Sequence, residues 1–320
     1  MWPTNKRFPH HYLFIGGLGC LVFLVSTILG PVCQLNPFYN WYYLFAWWPY
    51  ILVAETILAV RGNSLLFNQT RRFFLYGLFS VLIWLVFEAF NFRLQNWHYL
   101  NVPSSIWIRW TGYFLSFASV LPGLIVTRKL LHITGLDRIR PKSRPSMAVI
   151  ERALPWSILL GSLFLILPII WPRYFFPVIW VSFLLILEPI LYRCQVPSLL
   201  RKISYGDWSE LFGWLYSGAL CGFLWETWNY WAGSKWYYTI PYVGQFKVFE
   251  MPILGFLGFP PFALQSLVMA RLFFVLKNRY KSKTDNLPGQ YILFVLIIVG
   301  YIACLFWGID MFTVVSYKNS

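Results

Sequence analysis

The chain has 320 residues, of which 58% are hydrophobic, 21% aromatic and only 12% charged, with a formal net charge of +15. Soluble domains carry about 25% charged residues, so half that share, with a mean hydropathy of +0.59, excludes an ordinary soluble domain. The positive charge does not mark a nucleic-acid binder, because it sits between apolar runs instead of forming a basic face.

Nine apolar runs follow one another along the chain, at 12–33, 38–60, 73–92, 106–127, 153–172, 174–192, 211–231, 249–276 and 289–315. Each is long enough to cross a hydrocarbon core about 30 Å thick. They are continuous and lack two-residue alternation, so they read as helices and not as barrel strands. The expected fold is an all-α polytopic membrane bundle of about nine transmembrane helices. With Lys6 and Arg7 on the cytoplasmic side, twenty of the Lys and Arg residues fall inside and six outside. That asymmetry follows the positive-inside rule and places the chain in a plasma (inner) membrane, N-terminus cytoplasmic and C-terminus outside.

The first run resembles a signal peptide, but it is too long and lacks a small-residue cleavage site, so it reads as an uncleaved helix. Cys20, Cys33, Cys194, Cys221 and Cys304 have no metal-type spacing and read as packing residues. No metal and no cofactor are expected. The glycosylation sequon at Asn68, Gln69 and Thr70 falls on the inner side and is discounted.

The chain resembles itself. A shift of 138 positions brings Glu88 onto Glu226, Asn91 onto Asn229, Tyr99 onto Tyr237, Pro103 onto Pro241, Arg109 onto Lys247 and Pro122 onto Pro260. A looser match pairs Glu55 with Glu188, each followed by an arginine, Arg61 and Arg193. The expected plan is two parallel four-helix repeats plus a ninth helix, with units at 1–150, 151–285 and 286–320. Repeats with an even number of spans are related by an axis along the membrane normal.

Glu88 and Glu226 each lie fifteen residues into a span, about 22 Å at 1.5 Å per residue, in the outer third of the bilayer. An i, i+3 spacing puts each asparagine on the face of its glutamate. A charged side chain at a helix centre costs about 2.5–3.5 kcal/mol, so these residues are expected to face the protein interior. Glu250 opens the next span at similar depth, within "FEMPILGFLGFPP", whose prolines and glycines make that helix irregular. The hairpins "NWHYLNVP" and "KWYYTIP", with Trp97, Tyr99, Trp236 and Tyr237, read either as an interfacial aromatic belt or as a lid over the carboxylates. His98 reads as an interfacial hydrogen-bonding residue. Glu55 and Glu188 read as structural ion pairs with the nearby arginines, and Asp310 as a helix-end residue near water.

A carboxyl in an apolar, water-poor cavity holds its proton at neutral pH and can protonate a carbon–carbon double bond, with aromatic faces stabilising the cation. These residues suit cyclisation, hydration or isomerisation of an isoprenoid lipid. Glu226 or Glu250 would donate the proton and Glu88 accept one. Asn91 and Asn229 would orient the substrate, and Trp225, Trp97, Trp236, Tyr99 and Tyr237 would line its pocket. The stretch "WETWNYWAGSKWYYTIP…FEMP" and its weaker first copy, about 80 residues together, resemble the lycopene cyclase domain family and, with it, the related membrane carotenoid hydratases. The resemblance implies a multi-helix fold, a long polyene substrate and proton-initiated chemistry of the lyase or isomerase type, with Glu226 and Glu250 at the family's acidic positions. The chain departs from that family by having one glutamate before proline where the family has paired acids after it. The expected partners are a lipid or other hydrophobic small molecule and the membrane, without nucleic acid, and self-association as a homo-oligomer stays open. The competing classes are a membrane transporter and a structural or assembly protein.

Overall fold

The computed structural model describes residues 10–139, 141, 144–284 and 288–318. Lys6, Arg7, Arg140 and Lys142 lie outside the described residues, as do the side chains of Lys281 and Lys283. The helices are α1 (His10–Thr27, extended by a wide turn at Ile28–Val32), α2 (Tyr42–Val60), α3 (Thr70–Leu94), α4 (Ile106–Thr134) and α5 (Met147–Ile170). They continue as α6 (Pro172–Phe175), α7 (Ile179–Arg193), α8 (Leu199–Ser204), α9 (Ser209–Tyr230), α10 (Phe259–Thr284) and α11 (Pro288–Phe312). Eight spans among the described residues are long and apolar enough to cross a membrane, with α6 and α7 forming one bent span. The ninth expected span is α9. It has the length, at 22 residues, but carries Glu210, Glu226, Thr227 and Asn229. The chain is an integral membrane protein built as a helical bundle.

Local chemistry sets the helix ends. Ser146 caps α5 by accepting a hydrogen bond from the Val149 N–H, and Ser198 caps α8 from Arg201 N–H, each satisfying a donor that the first turn leaves free. α5 therefore starts four residues ahead of the boundary expected between the first two units. Gly135 closes α4 with φ of +79°, a left-handed position that glycine adopts without strain.

Packing repeats between the halves. α1 lies on α2, α3 on α4 and α2 on α4; in the same way α5 lies on α7, α9 on α10 and α7 on α10. The halves meet through α4 on α9 and α3 on α10, contacts that exchange when the halves are interchanged. α11 packs on α3 and has no counterpart. At Gly222 a Cβ would come within 2.2 Å of the Phe259 ring, so glycine is what lets α9 approach α10.

Two buried carboxylates at one end hold the inter-helix loops. Glu55 Oε2 accepts from the Ser64 hydroxyl at 2.5 Å and from the N–H groups of Leu65 and Leu66 at 2.8 and 3.1 Å. Glu188 accepts from the Leu200 N–H at 2.8 Å. Each glutamate sits under a Ser-Leu-Leu turn whose amide hydrogens point to it, at 64–66 and 198–200. Asp310 stands near the end of α11 as expected, with its side chain 10% exposed. Arg109 Nε and Nη2 each donate to it at 2.7 Å, and Trp110 and Tyr113 donate at 2.9 and 3.0 Å. This clasp ties α11 to α4. Of the five cysteines, Cys221 is buried and packs as expected, with its thiol 3.2 Å from the Thr127 hydroxyl, whereas the other four are exposed.

The opposite end carries short strands that the sequence did not announce. β1 (Trp97–Leu100) pairs antiparallel with β3 (Lys235–Tyr238), β2 (Val102–Pro103) pairs parallel with β6 (Tyr317–Lys318), and β4 (Lys247–Val248) pairs with β5 (Met251–Pro252). These ladders form the roof of the bundle.

Candidate functional site

The two hairpins are built alike from the helix ends upward. Asn91 Nδ2 donates to the Trp97 carbonyl at 2.8 Å, and its Oδ1 accepts from the N–H groups of Asn96 and Trp97. Asn229 does the same to Trp236, donating to its carbonyl at 2.8 Å and accepting its N–H at 2.9 Å. A buried asparagine thus fixes where each strand leaves its helix, which directs the aromatic side chains back over the glutamate.

Glu88 and Glu226 are both fully buried. Glu88 Oε1 accepts three hydrogen bonds, from Trp84 Nε1 at 2.7 Å, Trp97 Nε1 at 3.1 Å and the Tyr99 hydroxyl at 2.5 Å. Glu226 Oε1 accepts one, from the Tyr238 hydroxyl at 2.7 Å, and Trp236 Nε1 in turn donates to that hydroxyl at 2.8 Å. The partner of Glu226 is Tyr238, not the expected Tyr237, because the second hairpin has one more residue between asparagine and tryptophan. The offset between copies is therefore 138 on the helix and 139 on the strand, and the ungapped matches of Pro103, Arg109 and Pro122 beyond it do not hold. Tyr237 instead pairs with His98, their rings stacked at 5.6 Å. Burial pushes the phenols of Tyr99 and Tyr238 well above their ordinary range, so both stay donors, and desolvation lowers His98.

Between the halves lies a cavity of about 530 Å³. Its walls are mainly aromatic and apolar, including Trp84, Trp97, Phe117, Trp180, Trp225 and Phe262. Trp180 and Trp84 stand edge-on to Phe262 at 5.9 and 5.7 Å. Glu226 forms part of the wall, and its Oε2 has no partner among the described residues. Trp225, Asn40 and Asn96 are also wall residues, and Trp225 Nε1, Asn40 Oδ1 and Asn96 Oδ1 are buried without partners among the described residues.

The three expected acids do not share this cavity. Glu88 stands behind it, screened by its own donors Trp84, Trp97 and Tyr99, which are themselves wall residues. Glu250 does not open a helix. It occupies the turn between β4 and β5, is partly exposed, and accepts from Lys235 Nζ at 2.6 Å. The following helix starts only at Phe259, after a 3₁₀ stretch at Ile253–Gly258, because Pro252 and the glycines interrupt the run. Of the expected pocket residues, Trp97, Tyr99, Trp225 and Trp236 line the cavity; Asn91, Asn229 and Tyr237 do not.

Sequence reasoning missed Asn40, Asn96, Tyr43 and Tyr238. Tyr238 is readable in hindsight from "WHY" at 97–99 set against "WYY" at 236–238. Asn40 and Tyr43 enter from a segment that no repeat marks. No family model, no curated protein and no solved structure matches this chain.

Proposed function

We propose that the protein is an integral membrane enzyme that acts on an unsaturated, isoprenoid-type lipid by proton transfer from Glu226. The observation that carries this reading is one carboxylate, with a partner-free oxygen, set in the wall of an aromatic cavity large enough for a substantial part of such a molecule. Ligand pockets are commonly apolar chambers with a few polar groups that fix orientation. The Tyr238 hydroxyl holds Oε1 and leaves Oε2 for the occupant.

Isomerisation or cyclisation balances without a further reagent. Glu226 Oε2–H adds its proton to one carbon of a double bond, leaving a cation on the other carbon and a carboxylate on the protein. Ring faces of the wall stabilise the cation. The carboxylate then takes a proton from a carbon adjacent to the cation, which gives an isomerised or cyclised alkene and restores the acid. With water as the one co-reactant, its oxygen instead bonds to the cation and one of its protons passes to the carboxylate, giving a hydrated product and the restored acid. The lycopene cyclase-like motif supports the same class of reaction, with Glu226 as the acid and without a role for Glu250. Glu88, bonded three times and screened from the cavity, fits a scaffolding role better than that of a proton acceptor.

Lipid extracts from cells with the wild-type gene, without it, and with Glu226→Gln test the reading. A prenyl lipid should change between the first two and revert in the third. Identical lipid profiles in all three, with the protein folded and present, would overturn it.

A further inference from the structure

We propose that the cavity is filled sideways from the bilayer, past the indole of Trp41, by a membrane-dissolved molecule with a long apolar chain, part of which stays outside in a groove along α2. This rests on reading the cavity as a ligand site and adds the route and the shape of the ligand. A second space of about 600 Å³ lies on the outer surface between α1, α2 and α4, lined wholly by apolar side chains, among them Leu18, Val22, Trp48, Leu52 and Leu115. Leu18, Val22 and Leu115 are substantially exposed on helices that face lipid. The groove follows α2 from Trp41 to Leu52, eleven residues or about 17 Å of helix.

Trp41 and Leu44 line both spaces. Together they form the partition between the two spaces. The Trp41 indole packs on the backbone of α4 at Gly112, where a Cβ would lie 2.9 Å from the ring. Among the described residues it makes no hydrogen bond. Trp84, Trp97 and Trp236, by contrast, each donate their indole N–H to Glu88 or Tyr238. Trp41 is the residue that caps α2, at φ of −104°, and its backbone carbonyl accepts from the N–H groups of Leu44 and Phe45. Rotation of the indole breaks packing alone.

The strand roof is closed by hydrogen bonds. There the β1–β3 ribbon, the Ser234 hydroxyl on the Asn101 carbonyl at 2.7 Å, the Thr239 hydroxyl on the Gln95 carbonyl at 2.5 Å and the Lys235–Glu250 pair would all have to part. An apolar chain already in the membrane reaches the groove without leaving hydrocarbon, and only its reacting segment needs to pass Trp41 to meet Glu226.

The test uses the full chain in phosphatidylcholine nanodiscs with a palmitoyl lipid bearing a terminal diazirine, followed by peptide mapping after brief illumination. Wild-type protein should be labelled both in the groove, near Leu18 and Leu115, and in the cavity, near the buried wall residues Val120 and Trp225. Trp41→Ala should raise the initial rate of cavity labelling at least threefold and leave groove labelling unchanged, and Thr239→Ala, which loosens the roof, should alter neither. Where Trp41→Ala fails to fold, Trp41→Phe and Leu44→Ala supply the same comparison. Absence of cavity labelling, an unchanged rate in the partition variants, or a rise with Thr239→Ala would overturn the route. Labelling through Trp41 together with a Glu226→Gln lipid profile equal to wild type would remove the chemistry and leave the route; the converse would remove the route alone.

Discussion

Glu88 and Glu226 are the same residue in two settings, and their variants should separate cleanly. Replacing Glu226 by Gln removes a transferable proton while keeping shape, and loss of a general acid lowers turnover about 10²–10⁴-fold; product formation per folded protein checks this, with the melting temperature unchanged. Glu88→Ala leaves three buried donors without an acceptor. Unsatisfied buried groups cost about 1–3 kcal/mol each, so a destabilisation of at least about 3 kcal/mol is expected, read as a lower unfolding temperature in detergent. His98 gives a pH signature. Desolvation lowers its folded pKa below the ordinary 6.5, so below about that pH the unfolded chain binds a proton that the folded chain refuses. Stability should therefore fall as the pH drops through the ordinary histidine range and stop falling once the folded imidazole is also charged. His98→Gln should flatten that slope. The acid, its asparagine and the aromatic pair were readable at this scale from residue type and spacing. The identity of the bonded tyrosine was not, because a single extra hairpin residue shifts a strand by one position and turns the neighbouring side chain inward.

At the scale of elements, the strand pair β1–β3 is held at both ends by an asparagine at a helix end. Asn91→Leu should free the Asn96 and Trp97 amides and raise hydrogen exchange over 97–100 and, across the ladder, over 235–238. Exchange confined to one strand would show that the ribbon does not act as a unit. Apolar run length identified the spans from α1 to α11 within a few residues, since crossing a hydrocarbon core fixes length and composition together. It failed at 249–258. There an apolar run continuous in hydropathy is broken by Pro252 and glycines into a hairpin and a 3₁₀ stretch, and Glu250 was carried off the helix with it. Glu55 and Glu188 show another limit. Proximity in sequence to Arg61 and Arg193 suggested charge pairing; backbone amides in a turn are equally good acceptor-seekers, and the repeated Ser-Leu-Leu was the signal for these bonds.

For the whole molecule, the Arg109–Asp310 clasp is the main polar tie between the repeated bundle and α11. Removing one partner of a buried pair costs about 3–5 kcal/mol. Asp310→Leu should therefore sharply lower the unfolding temperature, and Arg109→Leu with Asp310→Leu should recover much of the loss, as a double-mutant cycle would measure. The connection between α4 and α5 joins two sets of helices whose contacts repeat. Chains cut there and co-expressed should purify together; separate, insoluble halves would argue against two self-contained units. Residues 98 and 237 face each other where the strands cross, with Trp97 opposite Tyr238 and Tyr99 opposite Trp236 on either side. A strand of one unit could meet its own twin in that way, position 98 against position 98. Such a twin assembly would be bound to its symmetry: a sequence that seals one acid seals both, and one that opens an acid opens both. Tethering unequal copies lifts that constraint, so that one carboxylate can be spent on rigidity and its sister kept reactive.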